Sequence, residues 1–451
     1  MRAPSLQSSD LLARWREARA ETDGLFGIVR PEFLFERPVA ERHRIAFYIG
    51  HLEAFDWNLL GARLGLASDR PDLDRLFAFG IDPVEGALPN DQPADWPPLT
   101  EFHAYRERVR ARLDEAVAIA RDEDEERELE RHLGVAIEHR QMHAETLSYL
   151  FHQLPFAHKI AVTPVLPTRV HDIAESTIDI PAGAATLGLH SSSGEFGWDN
   201  EFEAHTVDVP AFAIDRFKVT NAQYLQFVEA GGYANSAWWN DKDWRWRCTQ
   251  DITHPVFWLR SDGGWMWRSM FAAIPLPHDW PVYVSHAEAS AYARWRGRAL
   301  PSEAQWQRAA YAQIAPTQSE ATPIRSAQDD RSTRRLRDAT RGDAFDPLPV
   351  DDVALGEPSP FGVAGMHANG WEWTSSAFAP FRGFRTFDFY PGYSQPFFDG
   401  RHFVLKGGSV RTAMTMLRPS FRNWFQPHYP FVYAGFRCVD SSPALSQRSA
   451  S

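Results

Sequence analysis

Glu138-His139-Arg140-Gln141-Met142-His143 lies within a run of helical periodicity from about Glu125 to Gln153, and its two imidazoles stand four residues apart. On an α-helix that spacing puts both rings on one face, within reach of one ion. Two ligands leave a site incomplete. His51, in Tyr48-Ile49-Gly50-His51-Leu52-Glu53-Ala54-Phe55, sits on another amphipathic stretch and is a candidate third. His132, seven residues before His139, is the competing candidate. It adjoins the charged run Arg121 to Arg131, where a histidine is more often merely solvated. Chance alone produces HxxxH on helices, so the motif marks a candidate metal site and nothing firmer.

The same periodicity extends through the first third of the chain. Leu11, Leu12, Trp15 and Ala18 recur at helix spacing, as do Phe47, His51, Ala54 and Phe55, and a further helix is predicted over Glu101 to Arg121. Four helices with a proline-rich loop from Asp82 to Pro98 predict an up-and-down bundle over residues 1–154, an architecture whose interior commonly holds metals between facing helices. Periodicity is lost after Pro155. Three prolines by Pro167 predict a linker over 155–176. From 177 to 451 the pattern changes to short alternating runs such as Ile178-Asp179-Ile180, His205-Thr206-Val207-Asp208-Val209 and Phe212-Ala213-Ile214. Helices are predicted among them at Asn221 to Ala230 and Ser285 to Gly297. Most of the 17 tryptophans follow residue 190, and the whole reads as an α+β chain of two differently built domains.

Composition narrows the function class. With 451 residues, 44% of them hydrophobic, there is core material for two domains. A net charge of -12 argues against nucleic acid as a partner, since phosphate binding needs a concentrated basic surface. The cluster Arg331, Arg334, Arg335 and Arg337 is a local exception and reads as a solvated loop. Two cysteines, Cys248 and Cys438, provide neither a disulfide framework nor a thiolate zinc cluster; both read as structural, and a reducing cytoplasm is expected. No apolar run approaches a membrane span, and Met1 to Asp10 lacks an export signal, so neither membrane nor export is expected.

Five phrases of the second half carry a family resemblance. They are Ile214-Asp215-Arg216-Phe217-Lys218-Val219-Thr220-Asn221, Arg298-Ala299-Leu300-Pro301-Ser302-Glu303-Ala304-Gln305-Trp306, Asn369-Gly370-Trp371-Glu372-Trp373-Thr374, Lys406-Gly407-Gly408-Ser409 and Gly435-Phe436-Arg437. In this order they resemble the formylglycine-generating-enzyme domain, a variant of the C-type-lectin-like fold. The paired thiols that hold copper in those enzymes have no counterpart here. Preceded by a DinB-like bundle with His51 and HxxxH, the domain resembles the nonheme iron sulfoxide synthases of ergothioneine and ovothiol biosynthesis. That resemblance implies Fe(II) on His51, His139 and His143, with dioxygen and hercynine as substrates. A DinB-like zinc thiol transferase and a noncatalytic lectin-like module are the alternatives, and zinc cannot change oxidation state.

The resemblance also assigns residues in two loops. Phe389-Tyr390-Pro391-Gly392-Tyr393 resembles the family's active-site loop, which implies Tyr390 as proton donor and Tyr393 as a substrate contact. Arg418-Pro419-Ser420-Phe421-Arg422-Asn423-Trp424-Phe425-Gln426-Pro427-His428-Tyr429 resembles the substrate loop, placing Asn423 and Trp424 at hercynine, whose trimethylammonium group suits an aromatic face. Phe425 and Tyr429 depart from the Asp and Arg of synthases that use γ-glutamylcysteine, and Ile81 to Phe102 contains no Arg or Lys. A multiply charged dipeptide therefore lacks partners, and burying its carboxylates there would cost several kcal/mol. This pattern resembles the selenoneine synthases, which couple hercynine to the selenosugar 1-seleno-β-D-glucose; coupling to cysteine or another thiol is the nearest alternative. Met142 stands where relatives carry a glutamine that contacts hercynine, and Gln141 is adjacent to it.

Overall fold

Apolar residues at helix spacing become five α-helices among the described residues of the first part: α1 (Leu6–Phe26), α2 (Ile45–Leu60), α3 (Pro71–Leu76), α4 (Leu99–Val117) and α5 (Glu123–Gln153). The structure is a computed structural model that describes residues 6–78, 88–119, 123–162, 173–311 and 345–440. The chain divides into two compact units, Met1–Thr163 and Pro164–Ser451. In the first unit α1 lies along α5 and α2 along α4. The short α3 has too few residues to display a period and was not predicted, while the predicted helix ending at Arg121 stops at Val117.

Helix α2 is buried nearly all round, with Phe47, Tyr48, Leu52, Ala54 and Leu60 at 1% exposure or less. Each large side chain so buried contributes roughly 1.5–3 kcal/mol. Full burial also obliges every polar group on the helix to find a partner. Arg140 of α5, itself fully buried, meets Glu53 at 2.9 Å and Asp56 at 2.8 Å and donates to the Leu52 carbonyl at 3.0 Å. Asp56 also accepts from Trp15 Nε1 at 3.0 Å, and Arg110 of α4 bridges Glu53 and Asp23. These ion pairs set the register of α2 against α5.

The first residues of the stretch read as a linker dock on the bundle instead. A 3-10 turn at Phe156–His158 leads to Lys159, which pairs with Val29 and donates from Nζ to the Phe151 carbonyl at 2.9 Å. Pro155 removes only its own N–H, so the chain turns without leaving the surface.

The second unit begins with β1 (Thr177–Ile180), β2 (Gly183–Leu187), β3 (His205–Val209) and β4 (Phe212–Asp215), followed by α6 (Asn221–Glu229) and α7 (Asp241–Thr249). Next come β5 (Trp258–Ser261), β6 (Gly264–Arg268), β7 (Ala273–Pro275), α8 (His286–Trp295), β8 (Arg298–Ala299) and α9 (Glu303–Ala310). The last strands are β9 (Gly370–Ala377), β10 (Phe403–Gly408), β11 (Asn423–Phe425), β12 (Ala434–Gly435) and β13 (Val439–Asp440). The sheets run β1-β4-β13-β8, β11-β10-β9-β12, β2-β3 and β5-β6-β7, with β12 parallel to β9. This is the mixed helix-and-sheet architecture expected of the C-type-lectin-like class.

The recurrent phrases are structural devices. Thr220, Ser285 and Ser302 each cap a helix by accepting the backbone N–H of Gln223, Glu288 and Gln305, and each donates its own backbone N–H to that residue's side chain, completing a capping box. Lys218, Glu372 and Arg437, drawn from three different phrases, meet in the interior: Glu372 is 3.0 Å from Lys218 Nζ and 2.8 Å from Arg437 Nε. Beside them Ile180, Phe212, Ile214, Trp306, Val363, Met366 and Val439 form one apolar core. Cys438 is buried, as expected, but Cys248 is exposed on the short, polar α7. The arginine cluster from Arg331 lies outside the described residues.

Candidate metal centre and aromatic loops

His51 on α2 and His139 and His143 on α5 converge: one donor atom from each lies within 4.8 Å of the other two. Ring centroids are separated by 5.5 Å between His51 and His139, 5.0 Å between His51 and His143, and 4.5 Å between His139 and His143. No other such group of three potential ligands occurs among the described residues. His132 is not in the group; its Nδ1 pairs with the Glu128 carbonyl at 2.7 Å.

Each ring is held by its surroundings. His51 Nδ1 lies 2.8 Å from the Phe77 carbonyl oxygen. A carbonyl only accepts, so Nδ1 carries the proton and Nε2 keeps its lone pair. Phe77 can approach because residue 50 is glycine: a Cβ there would lie 2.5 Å from the Phe77 ring. Phe47 stacks on His51 at 5.0 Å, and Phe55 lies flat on His139 at 3.4 Å with an 8° interplanar angle. Burial pushes the His51 pKa down to about 4 and those of His139 and His143 well below the ordinary value, with the neighbouring imidazoles adding to the effect on the latter two. All three are therefore neutral, the form that ligates. The Nδ1 atoms of His139 and His143 are buried with no hydrogen-bond partner in the protein. A neutral, nitrogen-only set of three on rigid helices fits a divalent transition metal with coordination positions left open.

Gln141 and Met142 are half-buried on α5 between the two histidines. The described part of the loop preceding α4 is pinned from outside. Arg37 and Arg44 both bind Asp91, Arg44 Nε at 2.9 Å, and Trp96 Nε1 donates to the same carboxylate at 2.8 Å.

In the second unit the candidate aromatic residues fall into two groups, Tyr390, Tyr393 and Trp424 in one and Phe425 with Tyr429 in the other. Tyr390 is half-buried and bridges Phe387, and Tyr393 is 8% exposed with its ring 5.7 Å from that of Tyr390. Tyr393 meets Trp424 edge-on at 5.3 Å, and Trp424 stacks on Phe378 at 4.1 Å. Asn423, Trp424 and Phe425 are strand β11 rather than loop, paired with Leu405, Val404 and Phe403. The Asn423 side-chain oxygen accepts from the Trp424 N–H at 2.9 Å. Phe425 and Tyr429 stack on each other at 5.5 Å with an interplanar angle of 5°.

Sequence reading missed Trp198-Asp199-Asn200-Glu201, a fully buried turn behind the first of these groups. Trp198 stacks on Tyr393 at 3.8 Å, and the three polar side chains bond residues of the segments that carry Tyr393 and lead into Trp424. Nothing periodic flags such a turn; the one local signal was two acids and an Asn beside a Trp in a loop otherwise rich in Gly and Ser.

Comparison with known proteins agrees with this division. The sulfatase-modifying factor enzyme 1-like domain matches residues 163–442, and the DinB superfamily matches residues 14–147. A Mycolicibacterium thermoresistibile protein named hercynine oxygenase is 36% identical over 310 residues, covering 67% of each chain. Its namesake from Mycolicibacterium smegmatis is 33% identical over 374 residues, covering 81% of this chain and 83% of the relative. Ergothioneine biosynthesis protein 1 of Neurospora crassa is 28% identical over 495 residues, covering 90% of this chain but 55% of its own length. The chain belongs to the family, built from a DinB-like bundle and a sulfatase-modifying-factor-like domain, that includes the hercynine oxygenases.

Proposed function

We propose that this chain is a nonheme Fe(II) oxidoreductase that couples hercynine to a chalcogen donor with dioxygen, the donor being the selenosugar 1-seleno-β-D-glucose. The observation that carries the reading is the triad of buried, neutral imidazoles His51, His139 and His143, in a chain whose relatives include proteins named hercynine oxygenase. Iron bound there supplies a redox-active centre with open positions for dioxygen and the donor, which zinc cannot do.

The reaction balances with these substrates alone. One hydrogen leaves the imidazole carbon and one the selenol, a C–Se bond forms, one oxygen atom ends on selenium as the selenoxide, and the other leaves with both hydrogens as water. The four electrons that reduce dioxygen come from the C–H and Se–H bonds and from selenium. Selenoneine is released from the selenoxide in a separate step, in which a two-electron reductant reduces selenium and the selenium–sugar bond breaks, the sugar leaving as glucose.

Tyr390 is the proton donor in this reading. Its phenol O–H can pass a proton to reduced oxygen. Trp424 offers its face to the trimethylammonium cation. Tyr393 and Asn423 are the further hercynine contacts in this reading. Phe425 and Tyr429 present stacked aromatic surface and no charge, which supports a sugar over a charged peptide.

The test is anaerobic loading with Fe(II), then oxygen uptake and product mass with hercynine plus selenosugar, cysteine or γ-glutamylcysteine. Fastest uptake with the selenosugar is expected. Turnover with cysteine alone makes the chain an ergothioneine-type sulfoxide synthase, and turnover with γ-glutamylcysteine but not selenosugar rejects the donor assignment. Absence of uptake with every donor removes the oxidative reading.

A further inference from the structure

We propose that the turn Trp198–Glu201 is a clasp that positions two segments of the second unit, residues 390–394 and residues 418–422 leading into β11, against each other. Its kinetic consequence rests on the function proposed above; its structural consequence does not.

The clasp works through side chains on four consecutive residues. Trp198 is fully buried, stacks on Tyr393 at 3.8 Å and meets Tyr390 edge-on at 6.4 Å. Asp199, also fully buried, accepts the hydroxyl of Ser394, the residue after Tyr393, and Asn200 Nδ2 donates to that hydroxyl oxygen at 3.0 Å. Ser394 is thus held as donor and acceptor at once, which leaves its backbone, and with it Tyr393, little freedom to rotate. Glu201 reaches the other way. Its carboxylate accepts from Arg418 Nε at 2.9 Å and from Ser420 Oγ at 2.6 Å, while the Asn200 carbonyl accepts from Arg422 Nη1 at 3.3 Å. Arg422 is in turn paired with Glu303 of α9 at 2.8 Å. One turn therefore joins a segment between β9 and β10 to a segment between β10 and β11, and Tyr393 and Trp424 meet at their junction.

The arrangement is retained against a cost. Asp199 Oδ2 is buried without a hydrogen-bond partner, and burial pushes its carboxyl up to about 6. A hydrophobic residue would avoid that penalty but could not hold Ser394. Loops need such external ties because, unlike helices, they carry no repeating backbone bonds of their own. Trp198, Asp199 and Glu201 are positioning residues, acting on substrate only through the side chains they hold.

The experiment uses the full-length protein and reads the clasp in two ways. Arg382 and Arg385 are exposed in the segment that carries Tyr390. Trypsin nicking after them should rise about tenfold in Ser394→Ala and in Asp199→Ala, with the double variant no faster than either single one, because each cuts the same link. Asp199→Asn, which keeps an acceptor oxygen, should restore most of the protection. With hercynine as substrate, the same alanine variants should lower kcat by about tenfold while leaving bound iron unchanged. Should Asp199→Ala fail to fold, Ser394→Ala, which removes a single oxygen, provides the reading. Nicking and kcat unchanged in Ser394→Ala, or strictly additive effects in the double variant, overturn the clasp. If wild-type protein turns over no hercynine, the proteolysis result stands by itself and only the functional reading fails.

Discussion

The two units hold their candidate residues in opposite ways. In the bundle, His139 and His143 are placed by helix geometry alone, and His51 is brought to them by the ion pairs of Arg140 with Glu53 and Asp56. In the second unit, Tyr390 and Tyr393 belong to a loop, and Trp424 to a short strand whose leading residues, like that loop, are held by contacts from residues some two hundred positions away in sequence. A regular element positions a side chain through backbone hydrogen bonds it already makes, whereas a loop must borrow its rigidity from side chains elsewhere. Removing a ligand from the bundle should therefore delete chemistry and leave the fold, whereas the second unit tolerates little change behind its loops.

The largest effect expected is for His139→Ala. The variant should lose iron retention and at least about a hundredfold in oxygen uptake, beyond what loss of an outer partner causes, with unchanged helical circular dichroism. Full activity with bound iron would remove His139 from the ligand set. Next in size is Arg140→Met, which takes the shared cation from two buried carboxylates and leaves Glu53 with Arg110, and Asp56 with Trp15 Nε1 and the more distant Arg19. Breaking a pair of this kind costs about 3–5 kcal/mol, to be read as a lowered urea midpoint of the bundle. A midpoint within experimental error of wild type would mean that apolar packing, not the ion pairs, sets the register of α2 against α5.

The smallest effect concerns acid stability of the second unit. His286 is buried, its pKa pushed down to about 4 by burial, with Nε2 3.2 Å from the Thr374 carbonyl and its ring stacked on Phe403 at 3.8 Å. The unfolded chain binds a proton at His286 below about 6.5 while the folded one does not, so this contribution is present above that pH and lost as pH falls towards 4. Its upper bound is about 3 kcal/mol over the window. Subtracting the unfolding free energies of His286→Gln from wild type between pH 7 and 4 should expose that slope. A difference independent of pH would show that His286 binds its proton as readily in the folded protein as in the unfolded chain.

Much of this was legible in the residues. Helix spacing located α1, α2, α4 and α5, alternation located β1, β3 and β4, and the helices predicted at Asn221 to Ala230 and Ser285 to Gly297 are α6 and α8. Each is a local signal with a fixed period or offset, which is why it survives without tertiary information. The short α3, the docking of Lys159 on Val29, the exposure of Cys248 and the pairing of Asn423–Phe425 with β10 left no such trace. Three residues of strand or six of helix are too few to show a period.

The amino-acid order by itself determined that His139 and His143 share a helix face, because 3.6 residues per turn allows no other outcome once the helix forms. It also determined that the second unit would be built from short alternating strands with a few helices among them. Only the tertiary structure decided that His51, and not His132, joins the pair, and that a turn at Trp198–Glu201 stands behind residues 390–394 and 418–422. The reason is range. Backbone periodicity propagates along a few residues, whereas a choice between partners ninety or two hundred positions apart depends on how whole elements pack, which no local pattern records.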